Sequence, residues 1–368
     1  MNIFKVLYKY IFKPVAFRFD PELVHNLVIS LGVGLGKSKL TKRAVRGLFK
    51  YSSPMLEQTL ASIHFSNPIG LAAGFDKDAQ LIEILPEVGF GFAELGSVTG
   101  EFCAGNPKPR LWRLPKSKSL LVYYGLKNDG AETIAPRIKN QLASKQTKIP
   151  FGISVAKTNS PSTVSLVGGI NDYTKAFGTF AEIGSFTTVN ISCPNAFGGQ
   201  PFTEPDMLEA LLSRLEEIPT KKPTFVKFSP DLDFKKIDEL LEVIGRHKIQ
   251  GIICSNLTKN RNNKNILEIN LPQNGGLSGK VVEKLADELI AYVYKKTKGK
   301  YVVVGCGGVF SAEDAYKKIR LGASLVQLIT GMIYEGPQVV GEINAGLVKL
   351  LLRDGFKNIS EAVGVDSR

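Results

Sequence analysis

The chain has no run approaching the roughly 20 apolar residues that a membrane-crossing helix needs, so no transmembrane span is expected. Cysteine is scarce: Cys103, Cys193, Cys254 and Cys306 are the four, and none forms a CxxC pair. That excludes a disulfide scaffold and suits a reducing cytosol. The three histidines, His25, His64 and His247, lie far apart, so no His-based metal cluster is expected. No GxGxxG opens a helix after the first strand, which counts against a doubly wound dinucleotide fold. The composition is otherwise that of a globular protein, 43% hydrophobic and 22% charged over 368 residues, and this excludes a disordered chain.

Acidic residues are sparse at the N-terminus. Residues 1–50 hold ten Lys or Arg against Asp20 and Glu22, so this stretch carries +8 of the net +13. Phe4, Leu7, Tyr8, Ile11 and Phe12 recur at helical spacing and predict a short amphipathic helix over 3–13, with Lys5, Lys9 and Lys13 on another face. No small-residue cleavage site follows, so the segment does not read as a secretory signal. Asp20 and Pro21 form an N-cap and first turn for a second helix running toward Gly32. A basic, apolar module of this kind points to an anionic surface, either nucleic acid or the cytoplasmic face of a membrane. Such helices lie in a membrane interface without crossing it, or pack as a cap on the main domain.

From about residue 65 the pattern changes to short β-branched runs separated by helical stretches. Strands are expected at 69–74, 90–98, 151–156, 186–192, 224–229, 251–256, 301–307 and 325–330. Most are continuously apolar, as strands buried on both faces should be. Eight βα units over about 270 residues predict an α/β fold, a (β/α)8 TIM barrel spanning 49–368 behind a helical module at 1–48. Polar residues gather at the C-terminal ends of these strands, which is the rim where this fold places its active sites.

Three glycine clusters, at 275–279, Gly307-Gly308 and Thr330-Gly331, either cradle a phosphate or make tight turns. Lys227, inside an apolar strand, needs an anionic partner, either the N1–C2=O edge of a reduced flavin or a carboxylate. Asn190, Asn195 and Asn256 donate and accept, and with a buried lysine they describe a pocket for an imide or amide ring. Cys193 sits between two of them. Its thiol, ordinarily near pKa 8.5 and readily lowered by nearby cations, could take a proton from carbon while hydride leaves the adjacent carbon.

Six motifs run in order along nearly the whole chain: Ala72-Ala-Gly-Phe-Asp-Lys77, Lys108-Pro-Arg-Leu-Trp-Arg113, Asn190-Ile-Ser-Cys-Pro-Asn195, Val226-Lys-Phe-Ser-Pro-Asp-Leu232, Gly275-Gly-Leu-Ser-Gly279 and Gly305-Cys-Gly-Gly308. Together they resemble the dihydroorotate dehydrogenases. Asp20-Pro-Glu-x-x-His25 resembles the class 2, membrane-associated, quinone-using branch. The resemblance implies FMN, with Gly279, Gly308, Ile329 and Thr330 about its phosphate. Its ring would lie near Ala73, Gly74, Lys77, Ser97, Ser154, Asn190, Lys227 and Ser255. It implies dihydroorotate held by Lys77, Asn190, Asn195 and Asn256, with Cys193 as the base, and a quinone site at His25 and Arg113. Oxidation to orotate in pyrimidine biosynthesis would follow, peripheral to the cytoplasmic side of the inner membrane, with no nucleic-acid partner and no metal.

Several positions depart from that pattern. Cys193 stands where class 2 normally has serine, Val122 where a substrate-binding asparagine is usual, and Leu257 where threonine is usual. Ser154 replaces an FMN-contacting asparagine and Ile329 a tyrosine. Val122 and Leu257 keep open an alternative, an FMN enzyme acting on another dihydropyrimidine or cyclic amide.

Overall fold

The computed structural model describes residues 3–143 and 147–367. Eight strands form a closed barrel: β1 (Ile69–Leu71), β2 (Phe92–Val98), β3 (Phe151–Val155), β4 (Phe186–Asn190), β5 (Thr224–Phe228), β6 (Gly251–Cys254), β7 (Val302–Cys306) and β8 (Leu325–Leu328). They pair in parallel in sequence order, and β8 closes against β1 through Val326–Ile69 to Leu328–Leu71. Continuous apolar runs suit this position, because helices cover the outer face while side chains fill the inner one. At the N-terminal end of the barrel, Phe65, Phe92, Phe186, Phe225, Ile253, Val304 and Leu325 form a closed apolar plug, with Phe65 supplied by a hairpin of Gln58–Leu60 and Ile63–Phe65.

The strands are shorter than the apolar runs at the mouth end. The run 69–74 stops being strand at Leu71, and 186–192 stops at Asn190, because the polar residues beyond turn outward to frame the opening. Above that opening lies a three-stranded antiparallel sheet of Leu111–Leu114, Ser119–Val122 and Gly276–Gly279, an element absent from the sequence expectation.

The described residues from Ile3 to Phe49 form a series of helical segments, with one correction of form. The expected single helix over 3–13 is a helix Ile3–Leu7, a π-turn Tyr8–Phe12 and a further turn Lys13–Ala16. The second helix is Pro21–Lys37, capped by Asp20 Oδ1 accepting from Leu23 N at 2.8 Å, and it runs past Gly32. A third, Lys39–Phe49, follows. Among the described residues no helix is long and apolar enough to cross a membrane.

Charge placement in this segment reverses the sequence expectation. Lys5 pairs with Glu342 at 2.6 Å, Lys9 pairs with Glu335, and Lys13 Nζ donates to the Tyr334 carbonyl at 3.2 Å, so these three lysines face the barrel. The outward face is apolar instead: Ile3, Tyr10, Ile11, Phe12, Val15, Phe19, Leu23, Leu27, Leu31 and Leu40 are all exposed. Two carboxylates on the barrel's C-terminal helices account for the inversion, because they attract the lysine stripe and leave hydrocarbon outside.

Candidate active site

The barrel mouth encloses about 1290 Å³ not filled by protein, part of it open to solvent. Its wall brings together Ala73, Gly74, Lys77, Ser97, Asn190, Cys193, Asn195, Lys227, Ser255, Asn256, Gly279, Gly308, Ile329 and Thr330, and also His25 from the Pro21–Lys37 helix. Two expected residues do not reach it. Ser154 is fully buried one layer behind, its hydroxyl 2.8 Å from that of Ser97. Arg113 lies on the roofing sheet, where it donates to the Phe19 carbonyl at 2.8 Å and covers the Phe17 ring at 4.7 Å.

The floor carries the cation. Asn190 and Lys227 are register partners on β4 and β5, so both project at one level. Lys227 is only 4% exposed, faces the cavity, and makes no hydrogen bond or ion pair with any other described residue. The carboxylate explanation of its burial is therefore not borne out. A buried ammonium without an anion is strongly unfavourable, so a ligand that is or becomes negative fits here.

Above Lys227 the carboxamides form one network. Asn190 Nδ2 donates to Ser97 Oγ at 2.9 Å, while its Oδ1 accepts from Asn256 Nδ2 at 3.2 Å and from the Ser192 hydroxyl at 3.2 Å. Tyr173 fixes the strand end by donating to the Asn190 carbonyl at 2.7 Å. Asn195 Nδ2 donates to the Val122 carbonyl at 2.8 Å, which leaves Asn195 Oδ1 buried without a donor. An N–H of a bound ring would satisfy it.

Glycine is required at two places in the opposite wall. Gly279 has φ +87°, and a Cβ there would come within 2.5 Å of the Lys118 carbonyl oxygen. Gly308 has φ +77°, and a Cβ would meet Glu283 at 2.4 Å. The hydroxyls of Ser278 and Thr330, 2.9 Å apart, border the same corner. Small residues, free backbone and two hydroxyls make a place for phosphate oxygens.

Electrostatics at the other end of the cavity differ from expectation. Burial pushes the Cys193 thiol up to about 11, while the Asn195 backbone N–H and the Lys157 ammonium pull it back down. From sequence the thiol is one that nearby cations readily lower, and here enclosure outweighs the Lys157 and Lys259 charges. Lys157, itself buried, donates to the Phe197 carbonyl at 2.5 Å in that same loop. Lys77 is lowered to about 8, chiefly by burial. Its Nζ lies 3.0 Å from His25 Nε2 and 4.2 Å from the Tyr124 ring centre. Burial and the adjacent Lys77 and Lys127 charges hold His25 down to about 3, so the neutral imidazole accepts from the ammonium. The helix that delivers His25 is anchored by a buried bidentate pair, Arg110 to Glu22 at 2.8 and 3.0 Å.

Sequence reasoning missed Tyr124, Lys127, Gln327 and the Lys77–His25 contact. Glu22 and Arg110 did lie inside the motifs at 20–25 and 108–113, and their opposite charges were the available signal.

The family model for dihydroorotate dehydrogenase matches residues 55–351. A relative from Trichodesmium erythraeum, described as dihydroorotate dehydrogenase (quinone), is 37% identical across all of both chains. Another of that description, from Haloarcula marismortui, is 42% identical over 82% of this chain and 83% of its own. Among solved structures, a DHODH from Eimeria tenella in complex with ferulenol superposes with a TM-score of 0.84 at 28% identity, covering 95% of this chain and 96% of the other.

Proposed function

Because the chain belongs to the dihydroorotate dehydrogenase family, we propose that it oxidises (S)-dihydroorotate to orotate for pyrimidine synthesis, using FMN in the barrel mouth and a membrane quinone as final acceptor. The observation that carries this reading is the unpaired Lys227 beneath the asparagine network, facing one cavity with Cys193 and the glycine corner.

FMN fits the residues present. Gly279, Gly308 and Thr330 would hold its phosphate, with Ile329 packed beside them. Ala73, Gly74, Ser97, Asn190 and Ser255 would line its ring, Ser154 would support that wall through Ser97, and Lys227 would offset negative charge on it. When bound, FMN supplies a two-electron acceptor for hydride.

The protein's own residues divide the rest of the work. Asn190, Asn195 and Asn256 orient the substrate ring through its C=O and N–H groups, Asn195 using its free Oδ1. Lys77 attracts the substrate carboxylate. Cys193 takes the C5 proton as thiolate, which the Lys157 charge favours. Val122, Leu257 and Tyr124 line the same space.

The N-terminal residues 1–48 supply the route to the acceptor. Their exposed apolar face fits insertion into one leaflet, and His25 and Arg113 mark the path from that face toward the barrel mouth. The side would be the cytoplasmic face of the inner membrane, where the four unpaired thiols stay reduced.

The test is turnover of dihydroorotate by the FMN-loaded protein with a soluble quinone, followed as orotate absorbance. Bound flavin that dihydroorotate bleaches and quinone restores is expected. Bound flavin that dihydroorotate leaves oxidised overturns the reading.

A further inference from the structure

The active cavity is lined by a third lysine that none of the roles above uses. Lys127 lies beyond the Ser119–Val122 strand, next to Leu126, and lines the same cavity as Lys77, Asn195 and Asn256. It is half-buried and makes no hydrogen bond or ion pair with any other described residue. Its charge bears on Lys77 and His25, which line the same cavity. The two carboxylates within its influence are already engaged: Glu22 by Arg110, and Asp78 by the Asp129 N–H at 2.9 Å.

Two ammonium groups facing one partly desolvated space repel each other, and an anion between them removes that repulsion. The apolar walls at Val122 and Leu257 offer such an anion nothing. Dihydroorotate carries one carboxylate on an otherwise neutral ring. Resting on the functional reading above, we infer that Lys127 is a specificity residue that holds the substrate carboxylate jointly with Lys77. The asparagines then read the ring, and the paired lysines select rings that bear an acid.

Binding to the FMN-loaded protein tests this, read as perturbation of the flavin spectrum by two probes, orotate and uracil, which share the ring and differ in the carboxylate. Lys127→Met is expected to weaken orotate roughly ten- to hundredfold, as loss of a charge-assisted contact does. Uracil affinity should not change, and Lys127→Arg should retain orotate binding within a few-fold. Unchanged orotate affinity in Lys127→Met, or equal weakening of uracil, overturns the inference. A wild-type protein whose flavin neither responds to orotate nor is reduced by dihydroorotate overturns the functional reading instead. Retained flavin absorbance in the variants shows that they fold.

Discussion

At the residue scale, Lys77 and Cys193 titrate on opposite sides of one optimum. Lys77 loses its charge as pH rises through about 8, because burial disfavours the ammonium. Affinity for the anionic substrate should therefore fall above that pH, visible as a rising KM. Cys193 gains its thiolate only toward pH 11, so the rate of flavin reduction at saturating substrate should keep climbing over the range where KM worsens. Stopped-flow reduction across pH 6–10 separates the two trends, and a flat rate would remove Cys193 as base. Cys193→Ala should slow reduction by about 10²–10⁴-fold with FMN still bound, the span general-base catalysis covers. Cys193→Ser, whose hydroxyl is far less acidic, should be slow near neutrality and recover partly at high pH.

At the scale of elements, the Pro21–Lys37 helix borders the barrel-mouth cavity through His25, and Glu22 and Arg110 pin it there. Removing one partner of a buried pair costs about 3–5 kcal/mol, since the other charge stays unmatched. Glu22→Ala should thus lower the melting temperature and separate His25 from Lys77, with quinone turnover falling more than flavin reduction by dihydroorotate. Equal loss of both would assign the helix a purely structural part. These same elements show what a linear sequence reveals. The barrel was legible because strands covered on both faces are uninterrupted hydrocarbon, and the rim because polar residues end each run. The roofing sheet was not, since its four-residue strands, Leu-Trp-Arg-Leu for example, are too short and too charged to announce themselves. Asn190 and Asn195 were found as a loop motif and Asn256 as the polar end of a strand, whereas Lys127 lies in a segment that drew notice only for what Val122 lacks. The Lys77–His25 contact joins residues 52 positions apart, and no local pattern carries it.

At the scale of the whole molecule, a ligand that binds only the folded state stabilises it by mass action. FMN at a hundred times its dissociation constant should add about 2.7 kcal/mol and raise the melting temperature by several degrees. A melting curve indifferent to FMN would count against the cradle at Gly279 and Gly308. The outward hydrocarbon of the N-terminal helices makes a second prediction. Each large side chain transferred from water contributes about 1.5 kcal/mol or more, so replacing Ile11, Phe12 and Leu31 with serine should weaken vesicle binding by roughly a hundredfold or more. Co-sedimentation with vesicles measures it.

Because Lys5 and Lys9 turn toward the barrel's own acids, and Lys13 toward the Tyr334 carbonyl, raised ionic strength and detergent should act on different joints. Brine would loosen the leading segment from the body that carries it and leave the greasy outer face adhering to lipid. A mild surfactant would do the reverse, lifting the whole particle off the bilayer with its first helix still docked.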